Sequence, residues 1–145
     1  MRVFVVSDVH VEHQKNLEWV ESICSSSHQN DVLICPGDIS DNMELVERTL
    51  VAFKAKFADV FYTPGNHELW IMKPDRDQGI KGSVEKWRAI ADMCQRIGVH
   101  TTPKCVPAGE GAVWIVPILS WHHESWDTEP DVTEYDIPSV RLVCR

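Results

Sequence analysis

The sequence predicts an α/β fold in which a parallel βαβαβ core carries a metal site at the ends of its strands. Two observations lead to this fold class. Short apolar runs alternate with stretches of helical periodicity, as in sheets built from right-handed crossovers. In addition, three of the apolar runs end in a turn that is followed by metal-binding types of side chain. Because ligands of open parallel sheets bind at the carboxyl ends of the strands, these side chains are expected to share one crevice.

Three strands and two connecting helices are predicted in the first half of the chain. The first strand, residues 2–6, is β-branched and aromatic without polar alternation, which is typical of a central strand buried on both faces. Residues 14–27 have helical spacing, and the second strand follows at residues 31–35. A helix over residues 42–57 then leads to the third strand at residues 60–63. The apolar stripe of that helix consists of Val46, Leu50, Phe53 and Phe57.

The middle of the chain is predicted to hold one long helix and two further strands. Residues 72–82 are polar and contain Pro, Asp and Gly, so we expect an irregular surface loop there. A helix over residues 84–97 stops at Gly98. Short strands are expected at residues 99–100 and 112–116. The buried face of the helix is predicted to consist of Val84, Trp87, Ala91 and Cys94.

The C-terminal part is less regular. Residues 124–136 are strongly acidic, which predicts a solvated surface loop. Residues 137–143 look like the beginning of a helix with Pro138 in its first turn. The chain stops at Arg145, after about two turns, and a helix of that length is marginal. We therefore expect a single domain that is incomplete at its C-terminus.

Composition and charge exclude several classes of protein. A chain with 43% hydrophobic and 25% charged residues is ordinary globular protein. Its net charge of -8 disfavours a nucleic-acid binder, which needs a basic face. Only a short apolar run precedes Asp8, so neither a signal peptide nor a membrane span is predicted, and the expected location is cytoplasmic. The cysteines are odd in number and lack CxxC spacing, which indicates buried, reduced thiols at positions 24, 35, 94, 105 and 144.

The candidate ligands lie in the segments Asp8-Val9-His10, Gly37-Asp38 and Gly65-Asn66-His67. Alternate residues of an extended segment point the same way, so Asp8 and His10 are expected to aim at one spot. Asp38 and Asn66 each follow a glycine, which lets the backbone turn sharply near an ion. Oxygen donors mixed with imidazole suit Mn, Fe or Zn better than Mg or Ca. The residues therefore predict a strand-end metal site, with Asp38 as the candidate bridge between two ions.

These segments resemble the first three signature blocks of the calcineurin-like metallophosphoesterases. The block D-x-H is similar to Asp8–His10, G-D-x-x-D to Gly37–Asp41, and G-N-H-E/D to Gly65–Glu68. The resemblance covers about residues 1–70 specifically. It implies that residues 1–145 are the N-terminal part of a metallophosphoesterase α/β/β/α sandwich that hydrolyses phosphate esters at a dinuclear metal centre.

The resemblance also implies a role for each site residue. Asp8, His10 and Asp38 would hold the first metal, and Asp38 and Asn66 the second. His67 would be the general acid beside the leaving group, oriented by Asp41. Two divalent or trivalent ions, most naturally Mn, Fe or Zn, would clamp the phosphate ester and lower the pKa of a bridging water, giving a hydroxide for in-line attack.

The sequence departs from the family pattern in its later blocks. The family completes its site with a lone His and a G-H-x-H turn, and no G-H dipeptide occurs here. His122 and His123, which follow the strand ending at Val116, remain as replacements. We expect them on a substrate-side loop over the metals rather than in the metal shell.

Other interpretations stay open at this point. Asp41 can equally be a helix N-cap with Glu44 as its capping-box partner, and the two roles are compatible. Asp38 and Asn66 after glycine fit ordinary turns as well. The alternative function is a catalytically impaired truncated isoform or fragment that binds metal weakly or acts by interaction. An α/β nucleotide-binding module is disfavoured because neither G-x-G-x-x-G nor G-x-x-x-x-G-K-S/T occurs.

Overall fold

The structure, a computed structural model, describes residues 1–120, 124–126 and 128. The predictions for His122, His123, most of the acidic segment and the C-terminal helix lie outside the described residues.

A parallel three-stranded sheet positions the candidate site. Its strands are β1 (Val3–Val5), β2 (Val32–Pro36) and β3 (Asp59–Thr63), and they lie in the order β1-β2-β3. Val3 is level with Val32, and Val32 is level with Asp59. All three strands point the same way, so their carboxyl ends meet at one edge, which confirms the predicted α/β class.

The place of β1 in the sheet differs from the prediction. It lies at the edge of the described sheet, where the side chains of Val3 and Val5 are 48% and 66% exposed. The central place belongs to β2, because β2 pairs with both neighbours. An apolar run without alternation therefore indicated a strand but not its position.

Two helices connect the strands. Helix α1 (Gln14–Ser22) follows β1, and helix α2 (Met43–Lys54) follows β2. The N-cap of α2 is Asn42, whose side chain accepts the backbone N–H groups of Glu44 and Leu45. The capping role predicted for Asp41 was therefore wrong by one residue, and its carboxylate is not used to begin the helix.

The predicted apolar stripe of α2 packs in the main core together with the sheet. Leu50 and Phe53 are fully buried, and they belong to one cluster with Val60 and Tyr62 of β3 and Ile90 of the next long helix. This cluster lies on one face of the sheet and holds the helices against it. A rigid support of this kind is what a site at the strand ends requires.

The segment after β3 is more ordered than predicted. A 3₁₀ turn, His67–Leu69, is followed by the short helix α3 (Lys73–Asp77) and by the long helix α4 (Ser83–Ile97). The predicted irregular loop over residues 72–82 thus contains a helix, and Asp75 within it is buried. Five residues are too few for a helical period to show in the sequence.

Helix α4 ends at Gly98 as predicted, where the backbone is left-handed with φ +75°. Its buried face is rotated from the predicted one, because Val84 is 63% exposed while Lys86 is fully buried. The buried residues of α4 are Lys86, Ile90, Met93 and Cys94.

The last described strands form an antiparallel hairpin of β4 (Lys104–Ala108) and β5 (Gly111–Ile115). The strand β5 was predicted within one residue, whereas β4 was not predicted. The expected strand at residues 99–100 is a single parallel bridge between His100 and Phe61. Among the described residues, no helix combines the length and apolar character that a membrane crossing requires.

Candidate metal centre

The chain segments after β1 and β2 are joined by backbone hydrogen bonds beyond the end of the sheet. The N–H of Asp8 donates to the carbonyl of Gly37 at 3.2 Å, and that of His10 donates to the carbonyl of Asp38 at 3.1 Å. Val11 then donates to Ile39 at 2.9 Å. The first two ligand-bearing segments therefore lie side by side.

The carboxylate of Glu68 joins the segments after β2 and β3. It accepts the backbone N–H of Gly65 at 2.7 Å, of Asp38 at 3.0 Å and of Ile39 at 2.5 Å. A fourth, longer bond comes from Ser40 at 3.3 Å. Burial raises the pKa of the fully buried Glu68 carboxyl, and the N–H donors oppose that shift. Sequence reasoning placed Glu68 in a motif but gave it no role.

Two glycines allow these segments to approach closely. A Cβ on Gly65 would lie 2.1 Å from Oδ1 of Asp38, and a Cβ on Gly37 would lie 2.1 Å from the backbone nitrogen of Gly65. Gly37 also has a left-handed backbone, with φ +73°. The same Oδ1 of Asp38 accepts the backbone N–H of His67 at 3.1 Å. The second and third segments are therefore in direct contact through Asp38.

Three of the four predicted metal ligands have a left-handed backbone. The φ angles are +54° at Asp8, +46° at His10 and +51° at Asp38, and these are the non-glycine residues with positive φ among those the structure describes. Each such residue costs about 1–3 kcal/mol, and strained residues cluster at functional sites. The expectation that Asp8 and His10 belong to one extended segment was wrong, because β1 already ends at Val5 and the chain turns.

The fourth predicted ligand, Asn66, is half-buried and lies directly before the 3₁₀ turn. Asp41 is half-buried as well, in the segment between β2 and α2. In the part of the chain that the structure describes, its carboxylate forms no hydrogen bond with the His67 ring. Orientation of His67 by Asp41 stays a prediction.

Two histidines and a carboxylate lie close together where the segments after β1 and β3 approach each other. Ligand atoms of His10, Glu12 and His67 all lie within 4.8 Å of one another, which makes them a candidate metal-binding group. Nδ1 of His10 is 3.0 Å from Oε1 of Glu12, and the His10 and His67 rings meet edge to face at 4.7 Å. Burial alone would raise the pKa of Glu12, but backbone and His10 hydrogen bonds lower it below its usual range. Glu12 was missed because no signature block contains it.

The indole of Trp70 also contacts the His67 ring, with ring centres 4.0 Å apart and the ring planes inclined by 33°. The backbone N–H of Trp70 donates to the carbonyl of His67 at 3.2 Å, and this hydrogen bond closes the 3₁₀ turn. The imidazole of His67 is therefore in contact with both the His10 ring and the Trp70 indole.

Fold and site together define an α/β protein with a candidate metal centre at the carboxyl ends of parallel strands. A match to the family described as calcineurin-like phosphoesterase extends over residues 1–145. The chain therefore belongs to the calcineurin-like phosphoesterase family, whose members are metal-dependent.

Two comparisons connect the chain to a particular relative. It is 33% identical over 121 residues to the acyl-carrier-protein phosphodiesterase PptH of Mycobacterium tuberculosis (strain ATCC 25618 / H37Rv), covering 81% of this chain and 36% of the relative. The crystal structure of phosphopantetheinyl hydrolase (PptH) from Mycobacterium tuberculosis matches with a TM-score of 0.70 at 28% identity. That match covers 81% of this chain and 42% of the solved chain. The chain thus spans well under half the length of these relatives.

Proposed function

We propose that this chain provides metal ligands and a general acid for hydrolysis of phosphate esters. Asp8, His10 and Asp38 would hold one ion, and Asp38 and Asn66 would hold a second. The observation that carries the proposal is the left-handed backbone shared by Asp8, His10 and Asp38. Such strain persists only where the surroundings over-determine it. Here the loop-to-loop hydrogen bonds and the buried Glu68 carboxylate do so.

The donor set fits transition metals. Carboxylate oxygens, an amide oxygen and imidazole together suit Mn, Fe or Zn. Because Nδ1 of His10 pairs with Glu12, Nε2 would be the nitrogen that binds the ion. A carboxylate behind a ligating imidazole fixes its tautomer and raises its basicity. Glu12 would therefore support His10 without itself needing to bind the metal.

When bound, the ions would neutralise phosphate charge and lower the pKa of an attacking water. The protein carries a net charge of -8, so it needs cations of this kind to attract a phosphate ester. His67 would donate a proton to the leaving oxygen. The hydrogen bond from its backbone N–H to the Asp38 carboxylate supports a place for this acid next to the residue that would bridge the ions. Asp41 would help to orient that imidazole.

The substrate class is proposed from the named relative, an acyl-carrier-protein phosphodiesterase. We infer that a phosphodiester is hydrolysed, and the first candidate is the phosphopantetheine linkage of a carrier protein. His122 and His123 would lie on the substrate side of the centre.

Calorimetry with Mn²⁺ and with Zn²⁺ tests the metal centre. Asp38→Ala should weaken binding at least about tenfold, since loss of a ligand or its support typically costs 10–100-fold. Asp92→Asn, at an exposed position on α4, is the control and should bind as the wild type does. Equal affinity in Asp38→Ala and wild type would contradict the proposed ligand set.

Hydrolysis is then measured on bis-p-nitrophenyl phosphate, p-nitrophenyl phosphate and a phosphopantetheinylated carrier protein. Turnover of the diesters that disappears in Asp38→Ala supports the proposal. Turnover of the monoester alone would contradict the substrate class. Metal binding without any turnover would favour the alternative, a metal-binding module, which the missing G-H-x-H turn of residues 1–145 suggests.

A further inference from the structure

Helix α4 contains a lysine with no exposed surface. Lys86 is fully buried, and its ammonium group donates three hydrogen bonds. The acceptors are Oδ2 of Asp75 at 2.8 Å, the carbonyl of Asp41 at 2.8 Å and the carbonyl of Trp70 at 2.6 Å. A buried charge is tolerated only when it is paired and hydrogen-bonded. Lys86 meets this condition, because each of its three donors has an acceptor.

The two carbonyls that Lys86 binds belong to two different chain segments of the candidate site. Asp41 lies in the segment after β2, and Trp70 directly follows the turn that carries His67. The first residue of α4, Ser83, also donates to the carbonyl of Leu69 at 2.8 Å. The first turn of α4 therefore holds two successive carbonyls at the exit of the His67 turn.

The position of the Trp70 backbone affects the His67 imidazole, because Trp70 and His67 are in direct contact. Their ring centres are 4.0 Å apart, and the Trp70 N–H binds the His67 carbonyl. A displacement of the Trp70 backbone would therefore move the surface on which the His67 ring rests.

We propose that Lys86, aided by Ser83, is a positioning residue for His67 and acts on it through Trp70. The inference rests on the proposed function in so far as His67 is the general acid. The structure supplies a matched comparison in Lys56, which is also buried and donates to the carbonyls of Val20 and Glu21 at 2.7 and 2.8 Å. Those carbonyls lie at the end of α1, which leads to the start of β2 and so to the amino ends of the strands, opposite to the candidate site.

The test compares Lys86→Met with Lys56→Met, since methionine fills a similar volume without the charge. The first readout is the NMR resonance of the His67 ring protons, which we expect the Trp70 indole to shift upfield because the ring centres are 4.0 Å apart. We expect Lys86→Met to lose much of that shift, while Lys56→Met keeps it even where both variants are destabilised. Both variants should keep the wild-type affinity for Mn²⁺.

The second readout is turnover of phosphodiesters with poor and good leaving groups. A displacement of about 1 Å at a catalytic group can cost about 10²-fold in rate. Lys86→Met should therefore lose about 10²-fold on poor leaving groups and much less on nitrophenyl esters. Lys56→Met should lower both rates by one common factor or leave them unchanged.

An unchanged His67 resonance in a folded Lys86→Met variant would overturn the inference, as would an equal change in Lys56→Met. If Lys86→Met does not fold, Ser83→Ala decides, because Ser83 is exposed and holds the neighbouring carbonyl. A reduced His67 shift in Ser83→Ala supports positioning by α4, and an unchanged shift overturns it. Absence of metal binding by the wild type would defeat the proposed function and leave the NMR test of Lys86 valid.

Discussion

The carboxylate of Glu68 accepts the backbone N–H of Asp38 at 3.0 Å, across the gap between the second and third strand ends. Glu68 stands next to His67 in sequence and is fully buried. Glu68 thus binds the backbone of the predicted bridging ligand, and the backbone N–H of the adjacent His67 donates to the carboxylate of the same Asp38. One short segment of chain carries the proposed acid and also fixes the proposed metal bridge.

Glu68→Gln is expected to lower the free energy of unfolding by about 3 kcal/mol. The amide keeps one acceptor oxygen but turns an NH₂ group toward backbone N–H donors, which leaves buried donors unpaired. Urea denaturation measures the change. Glu85→Gln is the control, because Glu85 also accepts a backbone N–H, from Lys81, but is exposed. Its effect should stay within about 0.5 kcal/mol, and equal effects of the two substitutions would contradict the role given to Glu68.

Gly65→Ala is expected to separate the second and third segments. Its Cβ would lie 2.1 Å from Oδ1 of Asp38, whereas a Cβ on Gly82 would meet nothing within 4 Å. Overpacking of this kind costs about 1–3 kcal/mol, and it should also weaken Mn²⁺ binding because the Asp38 carboxylate must move. Gly82→Ala should change neither property. Wild-type metal affinity in Gly65→Ala would show that the close approach is not needed for the site.

The amount of structure that the sequence could predict depends on the range of the interactions involved. The ends of β2 and β3 were predicted closely, because apolar runs and the glycine turns after them are local signals. The edge position of β1 was not, since it depends on which strands pair and not on the residues of β1 itself. The left-handed backbones of Asp8 and His10 were not predicted for a similar reason. They depend on hydrogen bonds to the segment after β2, which is distant in sequence.

Two of the missed residues, Lys86 and Glu68, are buried charges. Charged side chains are normally exposed, so Lys86 on a helix and Glu68 in a turn were not expected inside. Their burial is possible only because partners distant in sequence satisfy them, such as Asp41 for Lys86 and Ile39 for Glu68. The pattern of neighbouring residues in the sequence does not indicate such distant partners. The predictions for His122 and His123 stay predictions.

The stability of the fold below about pH 4 should depend on Asp31. The side-chain hydrogen bond from Arg2 holds the pKa of the Asp31 carboxyl well below its usual range. As the pH falls through the ordinary carboxyl pKa, the unfolded chain takes up a proton that the folded chain does not, so stability is lost progressively. Melting temperatures between pH 6 and pH 2.5 measure this. Asp31→Asn should have a lower melting temperature at pH 6 and a smaller fall in melting temperature between pH 6 and pH 2.5. Asp92→Asn should follow the wild type. An equal fall in melting temperature with pH in Asp31→Asn and wild type would contradict this role of Asp31.

The thiol of Cys24 should be the most reactive of the cysteines in the described part of the chain. The expectation that all cysteines are buried was wrong, because Cys24 and Cys105 are exposed while Cys35 and Cys94 are buried. Hydrogen bonds from Ser26 and Ser27 lower the pKa of the Cys24 thiol to about 6. Since the thiolate is the nucleophile, alkylation by iodoacetamide should rise with a midpoint near that pH.

Peptide mass spectrometry separates the modification rates of the individual cysteines. Ser26→Ala should move the midpoint for Cys24 upward, because it removes the first of the stabilising hydrogen bonds. Burial raises the pKa of Cys94 to about 12, so that thiol should stay unmodified in the native state. A midpoint for Cys24 near the free-cysteine value of about 8.5 would contradict the prediction.

The last prediction concerns His67 as the general acid. In a protein that shows turnover, His67→Ala should slow hydrolysis most for esters with poor, high-pKa leaving groups, because those need a proton in the transition state. Nitrophenolate leaves without that help. General acid catalysis usually contributes about 10²–10⁴-fold, so the contrast between the two ester types is large enough to measure from initial rates.

Asp38→Ala provides the comparison, since it removes the carboxylate that would join both ions and should abolish turnover of every ester. His67→Ala should in addition leave the affinity for Mn²⁺ close to that of the wild type, because His67 is not among the proposed ligands. The group of His10, Glu12 and His67 makes this a sharp test, as their ligand atoms lie within 4.8 Å of one another. A tenfold or greater loss of metal affinity in His67→Ala would assign His67 to the metal. An equal loss of rate for good and poor leaving groups would likewise argue that His67 holds the phosphate or the ions and donates no proton.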